Sequence, residues 1–432
     1  MYRSAIEKLK SWKQNKNRKP LIIRGARQVG KTWLMKTFGD HEYKKTVYIN
    51  FDNNPLITQL FSLDMNIQRI ITGIEIYVGF KIDADNTLLI FDEIQEVPQA
   101  LTSLKYFNEE ASEYQIICAG SLLGVALHEG TSFPVGKVEF LDLYPLSFIE
   151  FIQAMGKEQY AKLLINNDLS MANTFKQNYI ELLKYYYFVG GMPEAVQSFV
   201  NHNDFNKVRT IQKNILNAYE QDFSKHAPSD IVFRIRMLWN SIPAQLAKEN
   251  KKFIYGLIKS GSRAKEYEIA LMWLIDCGLV HKVQRVTTPS IPLKAYEDLK
   301  AFKLFILDVG LLGCITNLDQ SILINGNELF KEFKGALSEQ YVLQQLKTIE
   351  HIETYYWTND RGSAEINFLL DVKNKIIPLE VEAKTNSKAK ALKVFYERYS
   401  PNIAIRTSMM EYKQEDWLLH LPLWAIATLT TI

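Results

Sequence analysis

Residues 21–32 read LIIRGARQVGKT: an apolar run, one basic residue, and a loop that closes on Gly30, Lys31 and Thr32. The last eight residues, GARQVGKT, satisfy the G-x-x-x-x-G-K-[ST] pattern. Each specified position has a physical task. Gly25 and Gly30 let the backbone turn through positive φ and approach an anion with no Cβ in the way. The amides of Ala26, Arg27, Gln28 and Val29, with those running on through Trp33, converge on phosphate oxygens, and the following helix adds about half a positive charge at its N-terminus. Lys31 brings a full charge to the β- and γ-phosphates, and the Thr32 hydroxyl ligates Mg²⁺. The motif leaves an apolar strand (Leu21, Ile22, Ile23) and opens a helix carrying Trp33, Leu34, Met35 and Phe38. It predicts binding of ATP, or another nucleoside triphosphate, with Mg²⁺.

Two further strands bear on the same chemistry. TLLIFDEIQ (87–95) ends an apolar run on Asp92 and Glu93. An acid at the carboxyl end of a parallel strand faces the crevice where ligands bind. Asp92 is placed to hold Mg²⁺ through its water shell, and Glu93 to polarise an attacking water. An Asp-Glu pair also caps helices; the P-loop upstream favours the catalytic reading. YQIICAGS (114–121) presents Ser121 at its end, where it either orients the water or simply makes a turn. With the P-loop and Asp92 on neighbouring strands, Ser121 falls near the γ-phosphate.

The chain has 432 residues, enough for two or three domains, with 47% hydrophobic and 23% charged residues, as in a soluble globular protein. A formal charge of +3 neither demands nor excludes a nucleic-acid partner. Cys118, Cys277 and Cys314 lie far apart in apolar surroundings, the usage of buried thiols in a reducing compartment. The first residues lack the apolar core of a signal peptide, no run approaches a membrane span, and LPLWAIATLTTI at the end reads as a buried strand. The expectation is a cytoplasmic protein with no membrane partner.

Tyr2, Ile6, Leu9 and Trp12 give an amphipathic helix over 1–15. Strands TVYINF (46–51), TLLIFD (87–92), YQIICAG (114–120) and VEFLDL (138–143) then alternate with helical patterns, which predicts a parallel sheet with helices on both faces. Residues 145–225 turn helical and aromatic, broken at Gly190-Gly191 and Pro193. In 230–305 a helix in SRAKEYEIALMWLIDCGLVHKV precedes a hairpin of VHKVQRV and AFKLFIL, an order that fits a winged helix. From about 330 come a helix (ALSEQYVLQQLKTI), strands TYYWTN, AEINFLLDV and KIIPLEVEAK, a helix Lys388–Tyr399, and strands IAIRT and PLWAIAT.

The order GARQVGKT, LLIFDEIQ, ICAGSLLG, VEFLDLYPLSFIEF and YYFVGGMPEAV resembles AAA-type P-loop ATPases of bacteria and archaea fused to a C-terminal domain similar to restriction-endonuclease-type folds. DVGLLG (308–313) and GALSEQYVLQQL (335–346) extend the resemblance into the fused part. It implies an α/β fold: a P-loop parallel sheet over 1–150, a helical lid or linker over 151–228, a winged-helix module over 229–310, and a small α/β nuclease-like domain over 311–432. It further implies Lys31 and Thr32 as phosphate and Mg²⁺ contacts, Asp92 and Glu93 as the acidic pair, and Ser121 as sensor. One departure matters: Gly136-Lys137 stands where relatives often carry Gly-Arg, and lysine lacks the planar fork of arginine. A homo-oligomer is implied only by analogy.

An active nuclease of this kind needs strand carboxylates for Mg²⁺ and a lysine two residues past the second acid, on the same strand face. Here Glu339 supplies the helical acid and Glu380 the strand acid, but Asn367 stands where an acid is expected and Glu382 where the lysine is. An amide is a poor metal ligand, and glutamate removes the positive charge near a scissile phosphate. The module therefore reads as degenerate. A shifted site stays open, with Glu365 supplying the missing acid and Glu382 with Lys384 forming Glu-x-Lys one step along.

Arg263 and Lys265 open the winged-helix segment's main helix and Lys282, Arg285 and Lys294 lie beyond it, charges suited to phosphates of DNA or RNA or to ordinary solvation. Three functions follow: an ATPase acting on nucleic acid, a nucleotide-gated switch or protein-binding signalling ATPase, or an ATP-controlled Mg²⁺-dependent nuclease.

Overall fold

Strand β1 (Leu21–Arg24) delivers the loop at Gly25, and its place in the sheet decides what that loop can reach. With β2 (Lys45–Asn50), β3 (Thr87–Asp92), β4 (Gln115–Ala119) and β5 (Glu139–Asp142) it forms a five-stranded sheet in the order β2-β3-β4-β1-β5. Every pairing is parallel. β3 and β4 are buried at every residue, which is why they read as unbroken apolar runs rather than alternating ones. The computed structural model describes residues 1–120, 133–248, 252–325, 331–359, 364–382 and 390–431, of which 323–325, 331–334 and 430–431 are described by backbone alone.

Helices α1 (Ala5–Gln14), α2 (Lys31–Glu42), α3 (Pro55–Leu63), α4 (Ile67–Val78) and α5 (Pro98–Glu110) accompany this sheet. Asn54 and Asn66 cap α3 and α4 by accepting from the amides of Ile57 and Arg69. Val47, Ile49, Leu89, Phe91, Ile116 and Cys118 of the strands share a core with Ile57, Phe61, Ile70, Ile74, Leu104 and Phe107 of the helices. Phe91 meets Phe51, Phe61 and Phe107 edge-on at centroid distances of 5.6, 5.8 and 6.4 Å. Each such buried side chain contributes about 1.5–3 kcal/mol relative to exposure. Residues Arg3–Tyr144, together with Asp276–Gly278, form one compact unit.

The second unit, Pro145–Ile275 and Leu279–Ile432 with the first two residues, contains an eight-stranded mixed sheet. Its strands are β6 (Val280–Val286), β7 (Glu297–Ile306), β8 (Ile352–Thr358), β9 (Glu365–Val372), β10 (Lys375–Val381), β11 (Ala404–Ser408), β12 (Lys413–Glu415) and β13 (Leu418–Pro422). They lie in the order β12-β13-β11-β10-β9-β8-β6-β7. β8, β9 and β10 run antiparallel in succession, and β11 and β13 then continue parallel to β10.

Two expectations are corrected here. The hairpin expected as a wing is β6–β7, but β6 also pairs in parallel with β8 through Gln284, Arg285 and Val286, so it extends the C-terminal sheet. The buried face of β6 supplies the reason: Val286 packs with Tyr355, Trp357, Ile366 and Leu369. PLWAIAT does not form a strand, because β13 ends at Pro422 and Leu423–Thr431 is a 3₁₀ helix.

Asp308 ties this unit together. Fully buried at the N-cap of the Val309–Ile315 helix, it accepts from Leu311 N at 3.0 Å, Gly191 N at 2.6 Å and Gln344 Nε2 at 2.9 Å. Gln344 Oε1 in turn receives Val309 N at 2.8 Å, and Gln345 Oε1 receives Phe148 N at 2.7 Å. The motifs YYFVGGMPEAV, DVGLLG and GALSEQYVLQQL thus meet at one buried polar junction. Burial pushes the Asp308 carboxyl above its usual range, against the amides that favour its charge. Gly310 makes the junction close: a Cβ there would stand 2.7 Å from Gly190 N and 2.7 Å from Val189 O. Both are backbone atoms that cannot swing away, so Gly310→Ala is expected to cost about 1–3 kcal/mol, read as a lowered urea midpoint at unchanged slope.

Candidate functional site

Along the carboxyl edge of the five-stranded sheet, Ile23, Ala119, Asp92 and Asn50 are in register on successive strands β1, β4, β3 and β2. The residues that follow each of them therefore emerge side by side. Asp92 is not on the neighbour of β1, as the sequence suggested; β4 lies between them. Ser121, the residue expected to act beside it, lies outside the described residues.

The loop leaves β1 at Gly25, with φ +147°, where a Cβ would strike Leu143 O at 2.2 Å. Ala26 and Val29 are buried, Arg27 is partly so, and Gln28 is exposed in the left-handed region at φ +68°, a conformation a non-glycine residue holds at a cost of order 1 kcal/mol. Gly30 caps α2 at φ +94°. Lys31 opens the helix, buried, with Nζ donating to Gly25 O and Ala26 O, each at 2.9 Å. Burial pushes its amine down to about 8, while the Glu93 and Asp92 carboxylates pull it back up and Arg27 adds to the lowering. Trp33 follows with its indole 43% exposed.

Thr32 and Asp92 meet directly. Thr32 Oγ1 donates to Asp92 Oδ2 at 2.7 Å, and Tyr48 OH donates to the same oxygen at 2.9 Å. Asp92 is 4% exposed and its other oxygen accepts Glu93 N at 3.2 Å. Glu93 has φ +52°, a strained setting that turns it sharply off the strand. Its carboxylate accepts from Gln95 Nε2 at 2.7 Å.

The sequence reading missed two supports. Arg3, nearly fully buried, donates from Nη1 to Val29 O at 2.9 Å and from Nη2 to Tyr144 O at 2.6 Å, bracing the loop from just before α1. Tyr48, from β2, holds Asp92. A lone arginine at the start of an amphipathic pattern, or a tyrosine inside a strand, carries no local signal of such a task. Lys137 forms an ion pair with Glu109 at 2.9 Å, and Arg69 one with Asp64 at 2.6 Å.

In the second unit, Glu339, Glu365 and Asn367 come together around a residue the sequence reading passed over. Lys303 of β7, fully buried, forms an ion pair with Glu365 and lies 3.6 Å from Glu339 Oε2. Asn367 Nδ2 donates to Glu339 Oε1 at 2.7 Å, and Asn367 Oδ1 accepts Val381 N at 2.8 Å. Glu382 pairs with Arg406 of β11, which is also the cross-strand neighbour of Glu380. Burial raises the Glu380 carboxyl and Arg406 pulls it down again, leaving it above its usual range. Lys384 lies outside the described residues. A lysine inside the apolar run AFKLFIL was the available clue, since a buried lysine needs a paired carboxylate. Among the described residues no three His, Cys, Asp or Glu side chains are grouped to hold a metal ion. No described helix is long and apolar enough to cross a membrane.

Residues 17–152 match the family described as AAA domain. Residues 180–322 and 334–426 match two families, each described as a domain of unknown function (DUF8612 and DUF4143). Among solved structures, the chain is similar to the Walker-type ATPase paby2304 of Pyrococcus abyssi, at 15% identity over 72% of this chain and 94% of that one, with a TM-score of 0.46. It is also similar to PCH-2 of C. elegans, at 17% identity over 38% of this chain and 47% of that one, with a TM-score of 0.22. Among curated proteins no match is found. The AAA match falls on the residues that carry the parallel sheet and the P-loop, and supports a P-loop ATPase.

The depressed Lys31 amine has a measurable consequence. A lysine whose folded pKa lies near 8 and whose unfolded value is 10.5 binds fewer protons in the folded state, so its contribution to stability rises with pH across that interval. The stability of the unmodified protein relative to Lys31→Met is expected to increase from pH 7.5 to pH 10.5 in nucleotide-free urea titrations. A constant difference would contradict the assignment.

Proposed function

We propose that the first unit binds ATP with Mg²⁺ and hydrolyses it. The observation that carries this reading is the 2.7 Å contact between Thr32 Oγ1 and Asp92 Oδ2 beside the Lys31 ammonium. It brings a hydroxyl and a buried carboxylate, the hard oxygen donors that Mg²⁺ prefers, to one point next to the phosphate loop. The amides from Gly25 to Trp33, with the N-terminus of α2, receive phosphate oxygens, and Lys31 neutralises charge on the β- and γ-phosphates. Thr32 and Asp92 would hold Mg²⁺, which when bound neutralises phosphate charge. Glu93 accepts the proton of the attacking water as its oxygen bonds to the γ-phosphorus and the bond to the β–γ bridging oxygen breaks, giving ADP and phosphate. Ser121, two residues past β4 in the sequence, orients that water.

Under this reading hydrolysis acts on nucleic acid, DNA or RNA, and the second unit is a grip whose nuclease-like carboxylates do not cleave. Exposed Arg263, Lys265, Lys282 and Lys294 support a phosphate contact, while Arg285 is engaged by Asp298 and by Thr358 at 3.2 Å. A homo-oligomer completing the site belongs to the same reading. A second reading, a nucleotide-gated switch that contacts protein, is favoured by two observations. Gln95 holds the Glu93 carboxylate, and Ile269 and Met272 stand 65% and 55% exposed on the Ala264–Asp276 helix.

The purified protein is expected to release phosphate from ATP with Mg²⁺ and to do so faster with one member of a panel of single- and double-stranded DNA and RNA. Lys31→Ala should abolish the activity. A rate indifferent to every nucleic acid would favour the switch. Glu93→Gln is expected to keep ATP binding and to lose hydrolysis by about 10²-fold or more; if it keeps full biological activity, occupancy rather than turnover is the signal. Plasmid cleavage with Mg²⁺ or Mn²⁺ that vanishes in Glu382→Ala and Lys384→Ala would instead restore the nuclease.

A further inference from the structure

Lys303 sits at the centre of the carboxylate cluster of the second unit. Its side chain is fully buried, its ammonium pairs with Glu365 on β9 and approaches Glu339 Oε2 at 3.6 Å, and it lies 4.8 Å from the centroid of the Tyr356 ring. Burial alone would drive this amine toward its neutral form. The Glu365 and Glu339 carboxylates more than offset that, and hold it above its ordinary value. Both carboxylates are themselves mostly buried, 23% and 5% exposed. Each therefore depends on a cation inside the protein.

The position of that cation is informative. Glu339 comes from the Lys331–Lys347 helix and Glu365 from β9, with Asn367 two residues on sharing the strand face and bonding Glu339. Oxygens converging from a helix and an adjacent strand are an arrangement suited to a divalent ion. Here the charge comes from an ammonium on β7, a strand that reaches β9 only across β6 and β8. The other pair of acids, Glu380 on β10 and Glu382 just past its end, faces Arg406 instead. Two built-in cations thus serve the row of acids.

We propose that Lys303 is a tethered cation standing where a divalent metal would otherwise be held, so that the cluster is a metal-independent clamp fixing the β6–β7 hairpin to β9 and the Lys331–Lys347 helix. The Arg285–Asp298 pair, by contrast, joins β6 to β7 within the hairpin and is partly exposed. The clamp requires neither ATP binding nor hydrolysis by the first unit, and its test is independent of them.

Thermal unfolding of the full, nucleotide-free chain carrying Asp92→Asn, which removes the acid proposed to hold Mg²⁺ in the first unit, reads the clamp directly. This reference is expected to melt at the same temperature in EDTA and in excess Mn²⁺. Adding Lys303→Met should lower the transition by about 10 °C in EDTA, because two buried carboxylates lose their cation. Excess Mn²⁺ should recover at least half of that loss. Lys303→Met combined with Glu365→Gln should melt higher than Lys303→Met alone in EDTA and lose most of the Mn²⁺ response. If Lys303→Met does not fold, the double variant is the readout: a cooperative transition supports the clamp, and its absence overturns it. The proposal is also overturned if Mn²⁺ stabilises the reference chain and Glu365→Gln removes that gain. It fails equally if the Lys303→Met loss is indifferent to both Mn²⁺ and Glu365→Gln.

Discussion

Thr32 Oγ1 and Asp92 Oδ2 lie 2.7 Å apart although 60 positions separate them in the chain. That contact depends on the sheet order: β4 stands between β1 and β3, and all three run parallel, so their carboxyl ends share one edge. A parallel sheet buried on both faces requires continuous apolar strands, and LIIR, TLLIFD and QIICA supply them. The phosphate loop and the acids are thus consequences of one constraint. Arg3 at Val29 O and Tyr48 at Asp92 Oδ2 then fix from outside what the sheet has brought close.

The second unit solves a different problem, which is how to bury polar groups without stranding them. Its Lys331–Lys347 helix carries Ser338, Glu339, Gln340, Gln344 and Gln345, all buried. Gln340 exchanges hydrogen bonds with both the amide and the carbonyl of Ile306, Gln344 serves Asp308 and Val309, and Gln345 receives Phe148 N. Each of these glutamines bonds a backbone group, and polar groups inside a core require such partners. Lys303 and Arg406 extend the same logic to charge.

How much of this is legible in sequence follows from the range of the interactions. The P-loop is local, so GARQVGKT declares it without any knowledge of the fold. TLLIFD marks β3 to the residue, because a fully buried strand and its terminal acid are written consecutively. Strand order is not written anywhere, and the expectation that β1 and β3 adjoin was wrong for that reason. The β6–β7 hairpin was found as a hairpin but not as part of the C-terminal sheet, since its pairing with β8 spans some seventy residues. PLWAIAT reads as a strand by composition, yet Pro422 ends β13 and the remainder winds into a 3₁₀ helix. The acids Glu339, Glu365, Glu380 and Glu382 were visible, whereas their cations Lys303 and Arg406 come from distant strands. Missing those cations left open whether the acids could bind a metal.

The central claim is that the Thr32–Asp92 junction is the Mg²⁺-dependent part of an ATP site. The Mg²⁺ dependence of ATP affinity, measured by titration calorimetry on the unmodified protein and on Asp92→Asn, tests it most directly. The account predicts that Mg²⁺ tightens ATP binding to the unmodified protein and that Asp92→Asn loses most of that gain while still binding the nucleotide through its loop. An Asp92→Asn variant with the same Mg²⁺-dependent gain as the unmodified protein would contradict it.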